Sequence, residues 1–194
     1  MPTIRWGNHE YDQMTEFTGE EYLLADDGSE TLAVKVEDIS VFSSYAIICD
    51  EKSSGTEGGT FNSGADRTRD LNTKIADPDG IVSISSNRFT LGAGTYFIAW
   101  SAPAQRVDQH RSLLYNYTDG TVVRRGENAR ASRNYYAMTR SDGYVRVAIA
   151  SAKEFEIRHR CVMSKDYDGF GEKCGFSDSE IYTSVKIFKE TCLC

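Results

Sequence analysis

The chain has 194 residues, a formal charge of −7 and 40% hydrophobic residues, with eleven Tyr, nine Phe and sixteen Gly against three Pro. This acidic balance, without clustered Lys and Arg, predicts neither a nucleic-acid partner nor binding to an anionic membrane. No apolar run approaches the roughly 20 residues that span a bilayer, and residues 1–6 lack the apolar core of a signal peptide. We therefore expect a soluble, non-exported chain with one core of about 150 residues and one appendage.

Residues 1–44 predict a short acidic arm. The turn signal Asp26-Asp27-Gly28-Ser29 lies between Tyr22-Leu23-Leu24 and an alternating run at residues 32–36, a pattern typical of a β-hairpin. A hairpin of this length is not stable alone in water. We therefore expect it to pack on its own globular domain or on a host assembly, and we favour an attachment arm.

Residues 45–189 predict one antiparallel all-β domain of about eight to ten strands, followed by a tail at residues 190–194. Turn signals occur at residues 78–80, 92–94, 118–120 and 141–143. Residues 96–100, 144–149 and 155–161 alternate like half-buried strands. The core face of the last of these holds Phe155, Ile157, His159 and Cys161, and its outer face holds Glu156, Arg158 and Arg160. No helical period follows Tyr45, so the fold is a sandwich, a jelly roll or a barrel.

The final predicted strand covers residues 181–188. Its alternation places Ile181, Val185 and Ile187 on the core face and leaves Tyr182 and Phe188 on the opposite face. Large aromatic side chains on an outward face indicate an interface. Tyr144 is predicted to face outward in the same way.

The sequence contains no recognisable catalytic motif. A Gly-x-Ser-x-Gly elbow, a Walker loop and a His-Glu-x-x-His motif are all missing, and His9, His110 and His159 lie far apart in sequence. We interpret His159 as a core histidine with a hydrogen-bond partner. His110 is interpreted as a solvated residue at a strand entry, with a ligand contact as the alternative. The sequence predicts no enzyme and no cofactor.

Metal and disulfide signals are equally weak. The five cysteines show no CxxC pair and no zinc-finger spacing, so we expect reduced thiols, with Cys49 and Cys161 buried and the terminal Cys192 and Cys194 exposed. Residues 166–172 resemble a fragment of a calcium loop without its spacing, and we expect an ordinary surface loop and no bound metal.

An arginine-rich tract between Arg124 and Arg140 is interleaved with tyrosines. Arginine forks and aromatic rings together recognise carboxylates, phosphates or sugars. The alternative is that these arginines pair with neighbouring carboxylates in an acidic trimer. The receptor-binding candidates are Arg124, Arg125, Arg133, Tyr135 and Tyr136.

Several segments together resemble a known family. They are Ala46-Ile47-Ile48-Cys49-Asp50-Glu51-Lys52, Gly58-Gly59-Thr60-Phe61, Arg67-Thr68-Arg69-Asp70-Leu71-Asn72-Thr73 and residues 89–96, 100–104, 110–111, 115–120, 155–160 and 169–171. Residues 45–189 thereby resemble the C-terminal domain of bacteriophage virion fibre and tail proteins. That group is similar to the ten-stranded jelly roll of the tumour-necrosis-factor and complement-head families. Residues 14–18, 22–27 and 34–39 resemble the segment that opens many phage fibre and spike proteins.

The resemblance implies a homotrimer around a three-fold axis, in a virion, with aromatic contacts from the inner sheet and an N-terminal arm that docks on capsid, neck or tail proteins. No long shaft separates arm from head, which favours a compact knob. The candidate trimer contacts are Tyr182, Phe188 and Tyr144. The candidate anchoring residues are Trp6, Phe17, Tyr22, Leu23 and Leu24. The alternative is a receptor-binding module for a host-surface glycan or anionic polymer. A third hypothesis, a small hydrolase or lyase, is supported only by the general ability of β folds to carry active sites.

Overall fold

The computed structural model describes residues 42–190 in full and, before them, four strands at residues 3–6, 9–12, 22–26 and 31–35. The chain divides into two units, residues 1–41 and residues 42–194. No helix long and apolar enough to cross a membrane occurs among the described residues.

The first unit contains two antiparallel hairpins. Strand β1 (Thr3–Trp6) pairs with β2 (His9–Asp12), and β3 (Tyr22–Asp26) pairs with β4 (Thr31–Lys35). The hairpin expected around residues 26–29 is therefore present. Of the predicted anchoring residues, Trp6, Tyr22, Leu23 and Leu24 lie on these strands, whereas Phe17 lies outside the described residues.

The second unit is a sandwich of two antiparallel sheets, and its described residues contain no helix. Its strands are β5 (Phe42–Lys52), β6 (Arg67–Thr68), β7 (Thr73–Ala76), β8 (Val82–Ser85), β9 (Arg88–Leu91), β10 (Gly94–Gln105), β11 (Asp108–Asn116), β12 (Thr121–Arg125), β13 (Ala129–Ala131), β14 (Met138–Ile149), β15 (Lys153–Cys161) and β16 (Glu180–Glu190). The five-stranded sheet has the order β14-β10-β16-β5-β7, and the seven-stranded sheet has the order β12-β11-β15-β9-β8, with β13 paired to β11 and β6 paired to β15. The predicted all-β jelly-roll class is confirmed.

The main core lies between the two sheets and follows from strand alternation. Strand β10 directs Tyr96, Ile98 and Trp100 inward, and β15 contributes Phe155 and Ile157 from the facing sheet, all of them buried. Trp100 also links the sheets, because its indole Nε1 donates a hydrogen bond to Ser112 Oγ on β11 at 2.8 Å. The alternation predicted for these strands is confirmed.

A smaller cluster closes one end of the sandwich. Phe61, Ala104, Val107, Ala131 and Cys161 are buried together there, with Phe170 packed against them. This cluster lies beside the inward histidines of the seven-stranded sheet, since the Phe61 ring is 4.8 Å from that of His159.

The prediction of a turn at residues 141–143 is wrong. Ser141, Asp142 and Gly143 lie inside β14, paired with Ala102, Ser101 and Trp100 of β10. Glycine is needed at position 143 because the Trp100 indole lies close against the backbone there, and a Cβ would overlap that ring.

The prediction that Tyr182 faces outward is also wrong. A bulge in β16 places Tyr182 and Thr183 opposite the single residue Asp50 of β5, which reverses the alternation before Ser184. Tyr182 is consequently only 3% exposed and Ile181 is 42% exposed. After the bulge the predicted alternation is correct, with Val185 and Ile187 in the core.

Candidate functional site

The outward face of the five-stranded sheet carries a row of aromatic side chains. Phe188 on β16 lies directly between Phe97 on β10 and Tyr45 on β5. The Phe97 ring centre is 6.2 Å from that of Tyr144, and the Phe188 ring centre is 5.3 Å from that of Phe42. We call these five residues the aromatic face.

The aromatic face is accessible in the single chain. Tyr144 is 61% exposed, Tyr45 and Phe42 are also exposed, and Phe97 and Phe188 are half-buried. A charged pair borders it, in which Arg146 Nε and Nη2 donate to both carboxylate oxygens of Glu190 at 2.7 Å. Contiguous apolar patches of this kind mark interaction surfaces in soluble proteins. Two of the three predicted trimer contacts, Phe188 and Tyr144, thus face outward.

The outward face of the seven-stranded sheet has the opposite chemistry. A cavity of about 670 Å³ lies there, with Arg111 of β11, Arg125 of β12 and Arg160 of β15 in its wall. Arg111 is directly opposite Arg160, and Arg125 is directly opposite Leu113. We call this the basic cavity.

The three arginines of the basic cavity differ in their partners. Arg111 Nη1 donates to Asn128 Oδ1 at 3.3 Å. Arg160 Nη2 donates to the Gly64 carbonyl at 3.4 Å, and its Nε lies 3.7 Å from Asp66 Oδ1. The side chain of Arg125 has no hydrogen bond or ion pair within residues 42–190. The cavity therefore holds three cationic groups against one lining carboxylate, Asp66.

The remainder of this outer face is charge-neutralised. Glu156 lies on this outer face, as predicted, but it is buried there, because Arg158 and Arg88 pair with its carboxylate and cover it. The two guanidinium groups also cover aromatic rings, Arg158 that of Tyr115 at 3.4 Å and Arg88 that of Tyr117 at 3.2 Å. These contacts occupy both arginines, whereas those of the basic cavity keep unused donors.

The predicted receptor-binding residues separate into different places. Arg125 lines the basic cavity, whereas its neighbour Arg124 is exposed and does not. Arg133 borders another hollow, and Tyr135 and Tyr136 are 73% and 81% exposed on the loop between β13 and β14. Sequence reasoning missed Arg111 and Arg160, although each occupies the outward phase of a strand alternation.

Two buried histidines lie on the inner side of the same strands. His110 Nδ1 and His159 Nε2 share a hydrogen bond of 2.9 Å, and His110 Nε2 is 2.8 Å from Thr139 Oγ1. His159 is a core residue as predicted, but the solvated position expected for His110 is wrong, because β11 directs it inward beside β15. His159 Nδ1 is buried with no partner among the described residues.

Burial and the nearby Arg69 guanidinium keep this histidine pair neutral. Burial, followed by the charge of Arg69, lowers the pKa of His110 to about 4. The same two causes, with His110 as a third, hold the pKa of His159 well below its usual value. The hydrogen bonds of the pair join β11 to β15 and, through Thr139, to β14, so the two histidines link three strands.

Arg69 is fully buried and joins several segments. Its Nε donates to Thr183 Oγ1 at 2.7 Å, and its Nη1 and Nη2 donate to the carbonyls of Pro103 at 3.2 Å and Phe170 at 2.9 Å. Burial lowers the pKa of Arg69 to about 9, and the nearby Asp50 and Asp70 raise it. Satisfied donors on a buried guanidinium fix the segments that it contacts.

The acidic loop at residues 166–172 has internal partners. The Asp168 carboxylate lies 2.5 Å from Lys165 Nζ and accepts a hydrogen bond from Gln105 Nε2 at 3.1 Å. No cluster of three metal-binding side chains occurs among the described residues.

The thiols of Cys49 and Cys161 are free and buried, as predicted, and burial raises the pKa of each to about 11. Cys192 and Cys194 lie outside the described residues.

No family model matches the sequence, and no curated protein matches it. Among solved structures, the globular domain of zebrafish complement 1qA protein is similar at a TM-score of 0.50 and 11% identity, covering 75% of this chain and 96% of that chain. Murine APRIL is similar at a TM-score of 0.47 and 7% identity, covering 75% of this chain and 98% of that chain. The chain has the β-sandwich fold of the complement-head jelly rolls.

Proposed function

We propose that the protein is a structural component of a bacteriophage virion, in which three jelly-roll domains assemble as a homotrimeric knob. Residues 1–41, the first unit of the chain, serve as the arm that docks on capsid, neck or tail proteins. The proposal assigns the chain to assembly and attachment and not to catalysis.

The aromatic face is the observation that carries the trimer. Its five aromatic side chains form one continuous surface across four strands, from Tyr144 on β14 to Tyr45 on β5. Covering such a surface by another copy removes it from water, at about 25 cal/mol per Å² of apolar area. A three-fold arrangement is what the resemblance of residues 45–189 to phage fibre heads implies, with the inner sheet at the axis.

The arm is supported by the first unit of the chain. Its two hairpins have strands of only four or five residues. Two-stranded hairpins are marginally stable by themselves, so a docking surface would stabilise them.

Imaging of intact particles with an antibody against this chain tests the virion location, and particles that lack the chain would contradict it.

Light scattering on the purified protein tests the trimer. We expect a mass near three times the 21.7 kDa of the chain. Tyr144→Glu should shift the mass toward that of one chain, because it places a carboxylate within the aromatic face at a position exposed in the single chain. The matched control is Tyr135→Glu, which changes an exposed tyrosine on a loop and should leave the mass unchanged. A wild-type monomer, or a trimer unaffected by Tyr144→Glu, would contradict the proposal.

Recognition of a host-surface glycan is a second candidate function. The basic cavity favours it, because three arginines against one carboxylate, in a chain of net charge −7, mark a place for an anion. The two candidates are compatible, since the basic cavity and the aromatic face lie on different sheets.

A further inference from the structure

The basic cavity is formed by neighbouring positions on three paired strands. Arg111 and Arg160 are directly opposite each other on β11 and β15, and two residues further along β11 Leu113 is opposite Arg125 on β12. Like charges directly opposite each other in an antiparallel sheet are destabilising. The cross-strand arginine pair therefore disfavours the empty cavity and favours one that contains an anion.

We propose that the basic cavity binds the acidic sugar unit of a polysaccharide, with the carboxylate on the arginines and the sugar ring over Leu113. This inference rests on the second candidate function and names its ligand class. It does not depend on the trimer.

The unused donors of the three arginines define where the carboxylate binds. Asn128 holds Arg111, and the Gly64 carbonyl with Asp66 holds Arg160, so that both side chains are positioned before a ligand arrives. Arg125, without a partner among residues 42–190, has its whole guanidinium fork available. An arginine fork binds a carboxylate through two parallel hydrogen bonds, which gives orientation as well as affinity.

The remaining lining favours a sugar ring over an inorganic anion. A volume of about 670 Å³ lies within the range of roughly 300–1,000 Å³ that is typical of sites for organic ligands. Leu113, Ala129 and Val162 supply apolar surface, and the amides of Gln109 and Asn128 supply groups for hydroxyls. A ring with one apolar side, several hydroxyls and one carboxylate matches this combination.

Titration with defined oligosaccharides tests the assignment. The probes are digalacturonate and 3′-sialyllactose, with lactose as the neutral probe and sodium sulfate as the inorganic anion. Binding of each is followed at low salt through chemical-shift changes of the protein's own NMR signals. We expect the wild-type protein to bind at least one acidic probe and to bind lactose and sulfate at least about 10-fold more weakly. Arg125→Gln should weaken acidic-probe binding by about 10-fold or more, which is the effect of one charged hydrogen bond.

Arg124→Gln is the matched control, because it removes the same charge from the next residue, which lies outside the cavity. It should leave affinity for the acidic probes within about 2-fold. No binding of either acidic probe, equal binding of sulfate or lactose, or equal weakening by both substitutions would each overturn the proposal. The mass of the assembly is measured separately, so loss of sugar binding in a protein of trimeric mass contradicts the sugar site alone.

Discussion

At the scale of single residues, the polar groups inside the sandwich determine how it responds to acid. His110 and His159 are hydrogen-bonded to each other, Thr139 and Phe61 contact them, and His110 also forms part of the wall of the basic cavity. Arg69 lies nearby. The guanidinium group is the nearby cation that lowers the pKa of both imidazoles. A proton added to either ring would therefore be buried beside a positive charge.

We expect the free energy of unfolding to fall as the pH is lowered from about 6.5 towards 5. The pKa of His110 is about 4 in the folded chain, against 6.5 for the free group, so the unfolded chain binds the proton first. The stability is fully present above pH 6.5 and is lost as the pH falls towards the folded pKa. The loss is roughly 1 kcal/mol per imidazole between pH 6.5 and 5.5, measured by urea denaturation.

NMR provides the direct check on these histidines. The imidazole signals of His110 and His159 should not titrate in the folded protein between pH 7 and 5.5. A midpoint near 6.5 for either ring would show that it is solvated, which contradicts the buried pair.

Gly143 is the second residue whose environment makes a sharp prediction. We expect Gly143→Ala to reduce the free energy of unfolding by about 2 kcal/mol, because the new methyl overlaps the Trp100 indole and forces it from its position between the sheets. Thermal and urea denaturation measure the change. Gly92→Ala is the control, since a Cβ at that position meets no atom within 4 Å. Equal stability of the two variants would contradict the close approach.

At the scale of secondary-structure elements, strand β16 is central because it pairs with both β10 and β5. Its bulge directs the Tyr182 ring into the sandwich, where the hydroxyl donates to the Thr56 carbonyl at 2.7 Å. Burial, the largest cause, raises the pKa of Tyr182 above its usual value. The bulge therefore decides which side chains of β16 support the core.

We expect Tyr182→Ala to reduce the free energy of unfolding by about 3 kcal/mol and Ile181→Ala to reduce it by less than about 1 kcal/mol. The first substitution empties a buried site and leaves the Thr56 carbonyl without its partner, whereas the second removes a partly exposed side chain. Urea denaturation of the two variants measures the difference. Uninterrupted alternation along β16 would give the reverse order.

The elements show why sequence alone predicted some strands and not others. In β10 and β15 a regular ladder faces an apolar core, so the alternation of residues matches the alternation of burial. The β16 bulge leaves no mark in the sequence, because the two residues that share one partner are an ordinary Tyr and Thr. At residues 141–143 the composition of a turn occurs inside a strand, since the space beside Trp100 requires a glycine.

The candidate site was predictable only in part for a related reason. The tract from Arg124 to Arg140 is visible because its residues are close in sequence. The pairing of Arg111 with Arg160, and of His110 with His159, depends on β11 lying beside β15, which neither strand encodes by itself.

At the scale of the whole molecule, the two sheets of the sandwich differ in what they present to their surroundings. One outer face is aromatic and the other is charged, with a basic cavity at one place and paired charges elsewhere. The turn spacing and strand content predicted an all-β sandwich, jelly roll or barrel, and only the family resemblance selected the jelly roll. Predicting which outer face is aromatic and which is charged would have required the pairing order of the strands.

The order of the strands also has a consequence for how the chain acquires its structure during synthesis. Strand β5 is the first strand of the second unit, yet it pairs along most of its length with β16, the last described strand. In the sheet, β16 lies between β5 and β10. Until residue 190 has left the ribosome, the five-stranded sheet remains in two pieces with apolar edges uncovered. Pairing across such long stretches of chain makes folding slow and exposes intermediates to aggregation. The nascent second unit is therefore most prone to aggregation just before strand β16 becomes available for pairing.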